Sequence, residues 1–403
     1  MKHIILLCDG MADRPQASLD NKTPMEAARK PAMDSLAQQG EMGLVRTVPP
    51  GMPAGSDVAN LSVLGCDVAA CYTGRSPLEA ANIGVELADD DIAIRCNFVT
   101  LSDTESYNDA VMSDYCAGDI HTEEARQLIE ALQKAFGGGE FDFHTGTAYR
   151  HCLVWHTGTD QLNLIPPHDI TGQPIAPHLN GHAAAPALLR LMQESRTLLA
   201  EHPVNQARIH RGQPPANAIW LWGQGKRPRL ESFERCFNRR GAIISAVDLL
   251  RGIGRLMDMQ VPQVEGATGY IDTNYAGKLA ATLAALDDSA DFIYLHIEAP
   301  DECGHRGEVA NKVHAIEDID RLVLTPLLQE LPKRGDFALL VLPDHPTPLD
   351  IRTHTADPVP FVLYRSSDAA NKAQNVRFTE KTAAETGLLI DPGHTLIQRF
   401  MPR

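Results

Sequence analysis

An α/β fold, a mostly parallel sheet with helices on both faces plus a smaller inserted α/β domain, follows from three features of this sequence. Short apolar runs recur at 3–8 (HIILLC), 218–222 (AIWLW), 242–246 (AIISA), 291–298 (DFIYLHIE), 337–343 (FALLVLP) and 358–364 (PVPFVLY). They are continuous rather than alternating, as strands buried on both faces are. Amphipathic segments lie between them. In 23–40 (TPMEAARKPAMDSLAQQG), Thr23 and Glu26 form a capping box, Pro24 takes the first helical position and Gly40 ends the region. Val309, Val313, Ile316, Ile319 and Val323 keep a helical stripe. Strands alternating with helices give a parallel sheet.

The third feature is a change of texture between 88 and 212. It holds IAIRCNFVTL, a polar loop, a helix near 122–135, a glycine run at 137–139, HCLVW, LNLI and an Ala/Leu helix near 183–200. We read 88–212 as an inserted substrate or lid domain and 1–87 with 213–403 as the core, the linkers being ELADDD (86–91) and HRGQPPAN (210–217).

Composition bounds the function. The 403 residues are 43% hydrophobic and 22% charged, an ordinary globular balance. A net charge of −16 argues against nucleic acid or an anionic membrane as partner, since both demand a basic footprint. No apolar run approaches the roughly 20 residues that span a bilayer, and 4–8 is too short for a signal peptide. Cytoplasmic location is therefore expected, with the eight cysteines, none in a C-x-x-C pair, as reduced thiols. A homo-oligomer is admitted by this composition. Gly223, Gly225 and Lys226 in WLWGQGKRP lack the spacing of a phosphate-binding loop, and no G-x-G-x-x-G follows a strand.

Four predicted strand ends carry chemistry. Asp9 closes the first strand; Ser56 follows the stiff approach PPGMPAG; Asp301 and His305 follow 291–298; Asp344, His345 and His354 follow 337–343. Sites in open parallel sheets form at the carboxyl ends of strands, so these segments converge on one crevice. The carboxylates and imidazoles suffice for two divalent ions of the Mn²⁺ or Zn²⁺ kind. Each alone reads as a turn or cap residue, and Ser56 alone reads first as a helix cap. An anionic substrate would need metal ions or arginines to supply positive field in so acidic a chain.

LLCDGMADRP, MPAGSDVANLSVLGCD, YTGRSPLEA, IRCNFVTL, APDECGH and PDH…THTADPVPFVLY resemble the archaeal-type 2,3-bisphosphoglycerate-independent phosphoglycerate mutases of the alkaline phosphatase superfamily, including a branch proposed as homoserine kinase. The resemblance implies an alkaline-phosphatase-like core and interconversion of 2- and 3-phosphoglycerate without bisphosphoglycerate. It implies Ser56 as the phosphorylated nucleophile, one ion held by Asp9, Ser56, Asp344 and His345, and another by Asp301, His305 and His354. The ions expected are Mn²⁺ first, then Zn²⁺, Co²⁺ or Mg²⁺. Pro346 stands where related mutases have glycine.

A coordinated serine needs no histidine base, and a stiff approach holds its oxygen in line with phosphorus. Arg75, Arg95 and Arg150, with Lys226 and Lys278 behind them, are the candidates for gripping a phosphorylated acid. His151 and the pair His168–Asp169 are rival acid/base groups for the substrate hydroxyls. A homoserine kinase-like phosphotransferase, a phosphomonoesterase and a phosphopentomutase-like enzyme would use the same core.

Overall fold

The computed structural model describes residues 1–368 and 376–402. Its strands are β1 (Lys2–Cys8), β2 (Glu41–Val45), β3 (Ile92–Leu101), β4 (Met112–Asp114), β5 (Phe141–Thr147), β6 (Arg150–Trp155), β7 (Ala218–Gly225), β8 (Gly241–Ile244), β9 (Phe292–Ile297), β10 (Phe337–Leu342), β11 (Val359–Arg365) and β12 (Leu389–Ile390). The first sheet runs β12-β2-β11-β10-β1-β9-β8, and the second runs β4-β3-β6-β5 with β7 also paired to β3.

In the first sheet β10, β1, β9 and β8 are parallel, and β11 runs antiparallel to both β10 and β2. The sheet is thus mixed, mostly parallel, and 358–364 is the return strand that breaks the parallel run. β9 and β10 are buried along their whole length, as is β1 after Lys2. On one face of the sheet, Ile4, Leu6, Ile293, Leu295, Leu339 and Val341 pack with Ile316, Ile319, Val323 and Leu327 from the helical stripe. The register pairs Leu7 with Leu342 and Cys8 with Ile297, so three adjacent strands end level, and the residues after them emerge on one side.

The chain separates into two compact units, residues 1–72 with 230 to the C-terminus, and residues 73–229. Composition alone sets these boundaries at 87/88 and 212/213, and the difference has a physical cause. The apolar run 218–222 is not a core strand: β7 pairs antiparallel with β3, from Val99–Ala218 to Ala93–Gly225. The helix Ser76–Asn82 places Ala80 against Ala93, Cys152 and Val154 of the same sheet. The presumed linker at 210–217 is tied down too, Asn217 exchanging hydrogen bonds with the Leu101 backbone at 2.8 Å and Pro214 O accepting from buried Arg208 at 3.0 Å. Pairing partners of this kind leave no mark on a short apolar run.

The capping box forms as expected, Thr23 Oγ1 accepting from Glu26 N and Glu26 Oε2 from Thr23 N. Its helix stops at Ala27 and a second, Pro31–Gln39, restarts at a proline, which cannot continue a helix but begins one well. The insertion helices occupy Thr122–Phe136 and Pro186–Glu201. Among the described residues no helix is long and apolar enough to cross a membrane.

Candidate active site

All seven residues expected as ligands lie in the first unit, at the ends of β1 and β10 and in the segments around them. Asp9 and Gly10 follow β1, Asp344 and His345 follow β10, and Asp301 and His305 sit on the helix Ala299–Arg306 directly after β9. Asp301, His305 and His354 present ligand atoms within 4.8 Å of one another, and so do Asp9, Asp301 and His345. Ser56 opens the helix Ser56–Val63, yet it does not cap it. Gly55 occupies the cap position with no side-chain bond, and Ser56 Oγ turns away to lie 3.0 Å from His345 Nε2.

The donors have neighbours that fix their proton positions. His305 Nδ1 lies 3.0 Å from Arg352 O and His354 Nδ1 lies 3.1 Å from Ala54 O. A carbonyl only accepts, so each ring carries a proton on Nδ1, and Nε2 is the nitrogen left to offer a lone pair to an ion. These two Nε2 atoms face each other at 2.9 Å, with Asp301 oxygens at 3.2 and 3.4 Å. Thr347 Oγ1 donates to Asp301 Oδ1 at 2.5 Å and lies 3.3 Å from His345 Nδ1, which gives His345 the same tautomer. Asp9 Oδ1, on a residue 2% exposed, has no hydrogen-bond partner among the described residues. Converging lone pairs and an orphaned buried carboxylate oxygen suit divalent cations, which would meet nitrogen and oxygen donors with their second atoms already bonded.

The electrostatics agree. Burial, then the charges of Asp344 and Asp301, push the Asp9 carboxyl well above its ordinary range. A cation reverses that cost. Burial lowers His305, but the hydrogen bond and charge of Asp301 outweigh it and carry the ring up to about 9 in the metal-free protein. Loading an ion there must expel this proton. We expect apparent affinity to rise with pH and level off above about 9. Calorimetric titration at pH 7.5 in two buffers of different ionisation enthalpy would show the release, and equal heats in both would refute it. The same shift means that His305 stabilises the metal-free fold in full below its ordinary 6.5 and that this contribution disappears as pH rises through about 9.

Several supporting residues escaped sequence reading. Asn60, one helical turn after Ser56, donates to Ser56 O at 2.7 Å and to Asp344 Oδ2 at 2.8 Å, and Tyr294 donates to its Oδ1 at 2.5 Å. Asp344 Oδ1 accepts from the backbone of Gly10 and His345. His296 Nε2 lies 2.9 Å from Asp9 Oδ2. Tyr294 and His296 stand two apart on one strand face, the signal that an otherwise apolar FIYLHI could have given. Lys312 Nζ, fully buried, donates to Asp13 Oδ2 at 2.7 Å and Thr347 O at 2.8 Å. Lys312→Met should cost about 3–5 kcal/mol, because Asp13 is then a buried charge without its partner; urea denaturation checks it, and an unchanged midpoint would refute it.

The remaining candidates separate. Lys278 belongs to the first unit but is fully buried with Nζ 3.2 Å from His296 O, so it braces the strand rather than reaching for substrate. Arg75, Arg95 and Arg150 lie in the second unit around Glu79. Arg75 Nε and Arg95 Nη1 share Glu79 Oε1 at 2.8 and 2.6 Å, Arg95 Nε bonds Asn97 Oδ1 at 3.2 Å, and its guanidinium lies 4.8 Å from the Trp222 ring centre. Burial raises Glu79, but Arg95 and Arg75, with Arg150 behind them, bring it below the usual range. The Lys226 backbone accepts from Thr73 Oγ1 at 2.6 Å.

His151 is buried on β6, accepts the Gly146 N–H at 3.1 Å, packs on Phe98, and burial lowers it to about 3, so it stays neutral away from solvent. Asp169 is exposed on the turn Pro167–Ile170, 3.7 Å from His168 Nε2, and His168 packs edge-on against Trp222.

A family model described as 2,3-bisphosphoglycerate-independent phosphoglycerate mutase matches residues 37–205. The chain is 51% identical over 403 residues to a probable 2,3-bisphosphoglycerate-independent phosphoglycerate mutase of Geobacter sulfurreducens, covering 100% of each. It is 47% identical over 399 residues to the 2,3-bisphosphoglycerate-independent phosphoglycerate mutase of Methanothrix thermoacetophila, covering 99% of each. Among solved structures, a Pyrococcus horikoshii protein superposes with TM-score 0.79 at 28% identity, covering 99% of this chain and 97% of that one. The cofactor-independent phosphoglycerate mutase of Thermoplasma acidophilum gives 0.64 at 27% identity, covering 100% and 99%.

Proposed function

The chain belongs to the 2,3-bisphosphoglycerate-independent phosphoglycerate mutases, and from that premise we propose that it interconverts 2- and 3-phosphoglycerate through a phosphoserine at Ser56. The observation that supports this most is the seating of Ser56 Oγ among the converged donors, 3.0 Å from His345 Nε2, at the start of a helix. Ser56 Oγ gives up its proton as it attacks phosphorus, the bond from phosphorus to the substrate oxygen breaks, and that oxygen takes up a proton in exchange. The glycerate turns, its other hydroxyl loses a proton as it attacks the phosphoserine, and the Ser56 hydroxyl is restored. The N-terminal end of the helix Ser56–Val63 favours the phosphoryl oxygens.

Asp9, Ser56, Asp344 and His345 would hold one divalent ion and Asp301, His305 and His354 the other, Mn²⁺ being the first choice for this mix of carboxylate and imidazole. When bound, such ions neutralise the phosphoryl charge and lower the pKa of the serine hydroxyl. The glycerate carboxylate calls for guanidinium, and Arg75, Arg95 and Arg150 are the cluster this chain assembles for it. The unit that carries them is the part proposed as the lid, which must keep water from the phosphoserine. His168, paired with Asp169 beside that cluster, is the proposed proton carrier in place of His151.

The test is incubation of Mn²⁺-loaded protein with 3-phosphoglycerate, without bisphosphoglycerate, followed by phosphorus NMR. Appearance of 2-phosphoglycerate is expected. Folded, metal-loaded protein that yields none, or that yields only inorganic phosphate, overturns the mutase reading.

A further inference from the structure

We propose that His296 is a positioning residue that fixes the Asp9 carboxylate as a one-oxygen ligand, leaving Oδ1 aimed at the cation beside the nucleophile. The inference rests on the two-ion reading above. His296 lies on β9 opposite Leu7 of β1, fully buried, two residues before Asp9 in register. Its Nε2 is 2.9 Å from Asp9 Oδ2 and its Nδ1 is 3.1 Å from Ser245 Oγ.

The proton direction along this chain is set from its far end. Ser245 Oγ accepts the Val247 N–H at 3.0 Å, so its own proton is free to point at His296 Nδ1. With Nδ1 accepting from that hydroxyl, the ring proton sits on Nε2, where Asp9, ionised once a cation faces it, takes it. Lys278 Nζ holds the backbone carbonyl of His296 at 3.2 Å, fixing where the ring begins. One carboxylate oxygen is thus occupied by a donor that cannot rotate away. The other, Oδ1, is buried without a hydrogen-bond partner among the described residues and lies 3.8 Å from His345 Nε2.

A carboxylate with both oxygens free can swivel or chelate through both. Asp9 so held can do neither, and its donor stays level with those of Asp344 and His345. Asp344 is braced in the same manner by Asn60 and two backbone amides, whereas Asp9 has His296 for that purpose. The arrangement inverts the common one in which a carboxylate orients a ligating histidine, but the physical task is the same.

The experiment is calorimetric titration of metal-free, full-length protein with MnCl₂ alone, comparing wild type, His296→Leu, His296→Gln and Ser245→Ala, with thermal melts to confirm folding. Wild type should bind two ions. His296→Leu should weaken one class of site by about 10–100-fold and leave the other unchanged. Gln, whose amide N–H falls near the position of Nε2, should restore that class. Ser245→Ala, which frees Nδ1 to take the proton from Nε2, should weaken the same class and carries the test if the leucine variant does not fold. Unchanged affinities in both His296→Leu and Ser245→Ala, both classes weakened together, or Gln failing as fully as Leu would overturn the proposal. A wild type that takes up fewer than two Mn²⁺ ions would instead overturn the two-ion reading itself.

Discussion

Ser56→Ala is expected to reduce turnover by at least about 10⁴-fold, the scale on which deleting a covalent nucleophile acts, while the protein still takes up two Mn²⁺ ions. The two halves of this expectation come from different atoms. Removing Oγ removes the acceptor for the phosphoryl group, and no other hydroxyl among the described residues is bonded to His345 Nε2 in its place. The other donors are braced without help from that oxygen. Asp344 is held by Gly10 N, His345 N and Asn60; Asp9 by His296; Asp301 by Thr347. Asn60 reaches the backbone carbonyl of Ser56, which the variant keeps. Turnover by phosphorus NMR and stoichiometry by calorimetry read the two halves separately. Substantial turnover in the alanine variant would remove the phosphoserine from the mechanism, and loss of both ions would recast Ser56 as chiefly structural.

The part of this site legible in sequence is the part made of short-range facts. Asp9, Asp301, Asp344 and His345 follow apolar runs closely, and parallel strands with level ends bring such residues together whatever the loops do. Ser56 was legible through its proline and glycine approach, though its cap reading fell to Gly55. The braces were not legible. Asn60 reads as one more residue of an apolar helix, and His296 as a polar interruption in a strand, until the fold sets each against a ligand. The burial of Lys278 was not legible, because sequence shows its charge and not its surroundings. The limit expected for the inserted unit differs from that of the second compact unit for a related reason. An apolar run such as 218–222 states that it is buried in a sheet, but not in which sheet, and only pairing with β3 assigns it.

Gly10→Ala should lower turnover about 100-fold, on the scale of an ångström of misplacement at reacting groups, and weaken both ion sites at once. Gly10 has φ of +61°, where a side chain costs about 1–2 kcal/mol. A Cβ there would also lie 2.6 Å from Asp301 Cα, Asp301 Oδ1 and Thr347 Oγ1. None of these is the loose end of a flexible chain. Asp301 is a proposed ligand of one site, and Thr347 orients both Asp301 and His345, a proposed ligand of the other, while its carbonyl is pinned by buried Lys312. Gly10 N also donates to Asp344 Oδ1, so the backbone cannot withdraw without releasing a third ligand. The control is Gly335→Ala, at φ of +94° but with nothing within 4 Å of the added carbon. It carries the backbone strain without the collision, and should lower stability while leaving turnover and both Mn²⁺ affinities unchanged. If Gly10→Ala matched that control, with lost stability but wild-type turnover and ion binding, close packing of the first strand's end against Asp301 would have no part in forming the site.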